Sequence, residues 1–246
     1  MQPLEIEQQL RDAQQHIASG MLHDAARICE QILAAGHEHP EALYSLAVVS
    51  YQAGNDEEVA HLLRRAIAIQ PNDVRFHGAL GGYFRTRGQN REALDCFRRA
   101  VQLEPDSAIA LRAVGETLLA MDLRDEAAAV YQKLLKVTPD DPAALNELGL
   151  ILLQRGRSAE AAGVLEKVLS HDKEDTVAMA RLGSALADQG RLEAARSYLM
   201  QAITHDPELH EAYKTLGDLA HADGRLEEAV EYYQKHLEGK HSLVTL

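Results

Sequence analysis

A pattern that returns every 34 residues constrains this chain more than any other feature. Between Leu80 and Pro105 it reads Leu80-Gly81, Phe84, Gly88, Ala93, Phe97, Ala100 and Pro105. One period later come Val114-Gly115, Leu118, Ala127, Tyr131, Leu134 and Pro139, then Leu148-Gly149, Leu152, Gly156, Ala161, Leu165 and Val168. Leu182-Gly183 and Leu216-Gly217 open two further copies; Leu46-Ala47 opens one upstream, and Ala13, Gly20, Ala25, Cys29 and Ile32 mark a weaker first copy. Seven repeats thus tile the chain without insertion, over 6–39, 40–73, 74–107, 108–141, 142–175, 176–209 and 210–243. Such a chain does not need one large core, because each repeat interface renews a strip of core.

With its small residue at the eighth place, its turn glycine at the fifteenth and its alanine at the twentieth, the pattern resembles the tetratricopeptide repeat (TPR) family. The resemblance implies an all-α fold: a single right-handed superhelical solenoid of helix-turn-helix repeats over residues 1–246. Composition agrees with helices, being rich in alanine and leucine with no Trp. The expected helix pairs lie near 6–19 with 22–35 and recur with the period.

Departures from the pattern mark individual repeats. The first helix of repeat one is polar (Gln8, Gln9, Arg11, Gln14, Gln15), as suits an end with no upstream neighbour. Pro40 suits a first helical turn. Repeat three alone has a positive balance, with six arginines against four acids. Its Gly78 and Gly82 each weaken a helix by about 1 kcal/mol relative to alanine, and self-packing does not ask for them. Asp122 stands where other repeats have the turn glycine, and Lys173 where others have proline. Repeat seven carries Glu227, Glu228, Glu231 and Glu238 on its second helix. The family usually closes with an extra polar helix, and the sequence to Leu246 shows none. Three readings stay open: the acidic helix is itself the cap, the natural chain continues, or another subunit packs there.

On a helical wheel, places 4, 7, 8 and 11 of each first helix form a packing seam, and places 2, 5, 9, 12 and 13 cluster opposite. The family resemblance implies that this second set lines a concave groove. It supplies the candidate ligand-binding residues Tyr44, Tyr51, Arg75, Arg85, Arg112, Glu116, Asn146 and Leu150. Large apolar side chains on a face the fold does not need suggest binding anchors. The arginines suit carboxylate or phosphate groups, so the expected partner is a protein or peptide with an acidic or phosphorylated segment. Two known family grooves do not match: the clamp for chaperone tails finds no three consecutive repeats, and the asparagine ladder is missing at place 6, which reads Arg11, Ser45, Ala79, Ala113, Glu147, Arg181 and Thr215. Tyr232, Tyr233, His236 and Leu237 on the last helix are the candidate oligomerisation residues, giving a weak homodimer at most.

Other function classes find little support. A formal net charge of −13 argues against non-specific binding to nucleic acid or acidic lipid, and no apolar run is long enough to insert in a membrane. The N-terminus has neither the basic start nor the apolar run of a secretory signal. Cys29 and Cys96 lie two repeats apart, which disfavours a disulfide and points to a reducing compartment; a cytoplasmic location is expected. His37-Glu38-His39 is a weak metal signal, and no nucleophile with an orienting base can be assembled. The expectation is therefore no metal, no cofactor and no catalysis. The sequence points to a protein-interaction scaffold or adaptor. The alternatives are a self-assembling protein that organises a larger complex, or the N-terminal recognition region of a longer transferase-type enzyme.

Overall fold

The computed structural model describes residues 3–36 and 38–242; His37 and the end of repeat seven at Leu243 lie outside the described residues. Among the described residues there are fourteen α-helices and no strand. They run α1 (Pro3–Ala18), α2 (Leu22–Ala34), α3 (Pro40–Gln52), α4 (Asp56–Ile69), α5 (Val74–Thr86), α6 (Asn90–Leu103), α7 (Ala108–Ala120), α8 (Arg124–Val137), α9 (Pro142–Gln154), α10 (Ser158–His171), α11 (Thr176–Asp188), α12 (Leu192–His205), α13 (His210–Ala222) and α14 (Leu226–Ser242). From α3 onward every odd-numbered helix starts 34 residues after the previous one, and every even-numbered helix from α2 does the same. The chain is an all-α TPR solenoid. It divides into two compact bodies, one holding α1 to α7 and the other α8 to α14.

Local chemistry sets the helix ends. Pro40 and Pro142 occupy first turns, where an N–H would find no helical partner. Asp73, Asp141 and Asp175 cap the helices that follow, each accepting a backbone N–H at 2.8–2.9 Å. The tight turn inside each helix pair needs a left-handed residue. Gly54, for example, sits at φ 74°; its N–H reaches the Tyr51 carbonyl at 3.1 Å and the N–H of Asn55 reaches that of Ser50 at 2.8 Å, the two bonds of a glycine-terminated helix end. Asp122 makes the same turn at φ 60°, and the bonds from its N–H to Leu119 and from Leu123 to Leu118, both 2.9 Å, repeat the motif. Aspartate tolerates this region better than most side chains do.

The seam between the two helices of a pair depends on the small residue at place 8. A Cβ added at Gly81, Gly149, Gly183 or Gly217 would come within 2.6–2.8 Å of Phe97, Leu165, Leu199 or Tyr233. Those large side chains sit at place 24 and fill the space a side chain at place 8 would need. Beside them the place-20 residues, Ala25, Val59, Ala93, Ala127, Ala161, Ala195 and Ala229, are all buried. Gly78 and Gly82 differ: a Cβ at either would meet nothing within 4 Å.

Candidate functional site

Within the N-terminal body, α3 and α5 enclose a cleft of about 380 Å³. Val48, Tyr51 and Gln52 of α3 face Ala79, Gly82 and Arg85 of α5 across it. Val59 and Leu63 of α4, both buried, close its base. The lining is mostly apolar, and Tyr51 stays 45% exposed. Gly82, which helix packing did not explain, is part of the wall; its missing side chain leaves the space open. Tyr83, also in the lining, donates its hydroxyl to the Asp56 carbonyl at 3.0 Å, and an Arg87–Asp56 ion pair ties α5 to the start of α4.

The candidate arginines are engaged by carboxylates of the same chain. Arg75 donates to both oxygens of Glu41, at 3.1 and 2.8 Å, and to both oxygens of Asp73, at 3.1 and 2.7 Å. Its guanidinium also lies 5.5 Å from the Tyr44 ring centre and 5.4 Å from that of Phe76, while Tyr44 packs on Phe76 at 5.2 Å. Tyr44 and Arg75 are thus built into one stack at the start of α5. Arg85 pairs closely with Glu116 and lies over the Phe97 ring at 6.0 Å. Arg112 is half-buried on α7. The structure brings Tyr51 and Arg85 to one cleft, and Tyr44 and Arg75 to the adjoining stack.

The Arg75 hydrogen bonds hold the Asp73 carboxyl below the usual carboxylate range, with its bonds to backbone N–H groups adding to the effect. A carboxylate whose folded pKa is depressed stabilises the fold above its unfolded pKa, about 3.9, and loses that contribution as pH falls through the folded value. Asp73→Ala should therefore cost about 1 kcal/mol at neutral pH, and the gap between parent and variant should narrow in acid, below the unfolded pKa of about 3.9. Chemical denaturation at neutral and acid pH checks this; a gap that persists in acid would assign the loss to packing.

The C-terminal body has its own cleft, about 570 Å³, between α9, α11 and α13. Leu150 and Leu153 form one apolar wall, with Arg181, Ser184, Lys214 and Thr215 opposite. The Ser184 and Thr215 hydroxyls meet at 2.9 Å. Arg181, only 12% exposed, donates to the Asn146 carbonyl at 2.9 Å and lies 3.8 and 3.7 Å from carboxylate oxygens of Glu147 and Glu211. Burial pushes the Glu211 carboxyl up, and Arg181 partly offsets that. Of the two candidates in this body, Leu150 lines the cleft, whereas Asn146 acts beside it, its amide bonded to Asp175 at 2.9 Å. Sequence reasoning passed over Arg181. Its signal was an arginine at a place where repeats two to four have only serine or alanine.

On the last helix, Tyr232 rests on the chain's own side chains, its hydroxyl 3.6 Å from the Met200 sulfur and its ring 6.1 Å from that of Tyr213. Tyr233 donates to Asp218 at 2.8 Å, and the His236 Nδ1 lies 2.8 Å from the His210 carbonyl. Leu237 is half exposed, at 50%. Among the described residues, no group of three metal-ligating side chains occurs and no helix is long and apolar enough to cross a membrane.

The family model described as the cilia and flagella-associated protein 70 C-terminal domain matches residues 5–244. A comparison with curated proteins gives no match. Solved TPR structures align over most of the chain. The C-terminal part of a TPR protein from Cytophaga hutchinsonii is 16% identical and gives a TM-score of 0.74, over 93% of this chain and 94% of that one. MamA residues 41 to the end from Desulfovibrio magneticus RS-1 are 25% identical at a TM-score of 0.61, over 69% and 96% of the two chains. YrrB, described as a TPR protein with an unusual peptide-binding site, is 21% identical at a TM-score of 0.61, over 73% and 92%.

Proposed function

Since the chain belongs to the family of the cilia and flagella-associated protein 70 C-terminal domain, a TPR family, we propose that it is a non-catalytic protein-interaction scaffold that holds a peptide segment in the cleft between α3 and α5. The observation that carries this reading is the open apolar space over Gly82, walled by Val48 and a part-exposed Tyr51. A helix normally avoids an interior glycine, and here the missing side chain makes room for one from a ligand. The fold it shares with YrrB, which has a peptide-binding site, supports the ligand class.

In this reading an apolar side chain of the peptide fills the cleft against Tyr51. An acidic or phosphorylated residue exchanges with Glu116 on Arg85, which a forked guanidinium suits. Arg75 is held by Glu41 and Asp73 and lies outside the lining of the cleft. The apolar contact should therefore dominate the affinity, with the charge contact adding a salt-dependent part.

The test is to select peptides from a random display library against the full chain and to measure their affinity for variants. Tyr51→Ala should weaken binding about thirtyfold, as loss of a buried aromatic anchor does. Arg85→Gln should weaken acidic peptides several-fold and flatten their salt dependence. Peptides that bind the double variant as tightly as the parent would place the site elsewhere.

A further inference from the structure

Independently of the cleft between α3 and α5, we propose that the cleft of the C-terminal body is a second binding site, one that takes a peptide segment carrying an asparagine or glutamine beside a leucine-like side chain. On α11 the lining of this cleft runs from Ala180 to Asp188, about 12 Å at 1.5 Å per residue. An extended chain covers that length with about three or four residues. Leu150 and Leu153 form one wall and are only half-buried. They leave an apolar surface that one side chain of the segment would cover.

The polar part of the cleft is an ion pair held apart. Arg181 is 12% exposed, and its Nη1 donates to the Asn146 carbonyl at 2.9 Å. Its Nε is buried and has no hydrogen-bond partner among the described residues. The Glu211 carboxylate stands 3.7 Å from that Nε, beyond hydrogen-bond reach. Glu147 lies 3.8 Å from Nη1 on the other side. A buried, charged donor without a partner is costly, and such groups in folded proteins are nearly always satisfied. Arg181 lines the cleft, so the acceptor it lacks can come from a ligand there.

A primary amide fits the gap between Arg181 and Glu211. Its carbonyl oxygen accepts from the Arg181 Nε while its NH2 group donates to the Glu211 carboxylate. A backbone amide cannot do both, because its trans geometry points the C=O and N–H in opposite directions. A carboxylate offers acceptors only, and it would meet Glu147 and Glu211, both within 4 Å of the same arginine. A lysine offers donors only and would face the guanidinium. Further along α11, the Ser184 hydroxyl shares one hydrogen bond with that of Thr215 at 2.9 Å. One of the two hydroxyl hydrogens is then left for a backbone carbonyl of the segment. Like charge thus turns away the acidic segment that suits the N-terminal cleft.

Acetylated, N-methylamidated pentapeptides of the form Ala-Leu-X-Leu-Ala test this, with asparagine, aspartate, lysine or alanine at X. NMR titration of the full chain reads the Leu150 and Leu153 methyl groups and the Arg181 Nε–H. The asparagine peptide should bind about tenfold tighter than the alanine one and shift the Arg181 Nε–H resonance. Aspartate and lysine should bind more weakly than alanine. Added salt should leave the asparagine peptide's affinity unchanged, since it carries no charge. Arg181→Lys should remove the preference for asparagine. Glu211 is 41% exposed, so Glu211→Gln should keep the fold while closing the gap between asparagine and aspartate. Gly82→Leu, which fills the cleft of the N-terminal body, should change none of this. The proposal is overturned if no peptide moves these resonances, if asparagine binds no tighter than alanine, or if its preference survives both variants. Loss of binding in Gly82→Leu would put these peptides in the N-terminal body and overturn it equally.

Discussion

Gly183→Leu should destabilise the C-terminal body by about 3 kcal/mol, the upper end of the usual cost of overpacking. The new Cβ would lie 2.6 Å from the Leu199 Cγ, 3.0 Å from its Cδ2 and 3.1 Å from the Ala195 carbonyl oxygen. Leu199 and Ala195 are both fully buried, so neither has free volume to move into. The carbonyl belongs to the backbone of α12 and yields only if that helix shifts away from α11. The damage should then spread to α10 and α13, which pack on the displaced pair. Gly149→Leu should behave alike through Leu165. Repeat arrays need not unfold in one step, so amide exchange should accompany chemical denaturation. The expected result is loss of protection centred on α11 and α12, with α3 to α6 unaffected. A Gly183→Leu chain as stable as the parent would show that the paired helices are not held at the spacing described.

Gly82→Leu should do the reverse: preserve the fold and remove peptide binding. Nothing lies within 4 Å of a Cβ at this position, and leucine in a helix interior is favoured over glycine by nearly 1 kcal/mol. The variant should therefore unfold at slightly higher denaturant. Its side chain would occupy the 380 Å³ cleft beside Val48 and Tyr51, where the proposed anchor sits, and affinity for a library-selected peptide should fall at least a hundredfold, as with loss of a central anchor. Gly78→Ala is the matching control. Gly78 also faces open space but lies outside the lining of the cleft; it should gain similar stability and bind as the parent does. A Gly82→Leu chain that binds its peptide at full strength would move the site away from α3 and α5, whatever the outcome for Tyr51.

The 34-residue period by itself determined the helices, because each turn and seam is written in local residues. The turn glycines, with Asp122 in place of one, meet a backbone demand, and the place-8 glycines meet a packing demand within one helix pair. Both are short-range constraints, so both return with the period. The wheel also told which face of α3, α5 and α9 is free of the seam, the face on which Tyr51, Arg85 and Leu150 line clefts.

The partners of the charged residues were decided only by the tertiary structure. Arg75 and Glu41 are one full period apart, and Arg85 and Glu116 are almost that far; such pairs form across repeats, where helix spacing and side-chain reach decide who meets whom. The count of six arginines in repeat three left open how much of that charge is available, and Arg75 and Arg85 are committed to carboxylates. Arg181 was hidden for the same reason, since its neighbours Asn146, Glu147 and Glu211 come from the repeats on either side. Gly82 was visible as an anomaly in the sequence. That its missing side chain opens a cleft depends on the approach of α3 to α5, a distance no local pattern encodes.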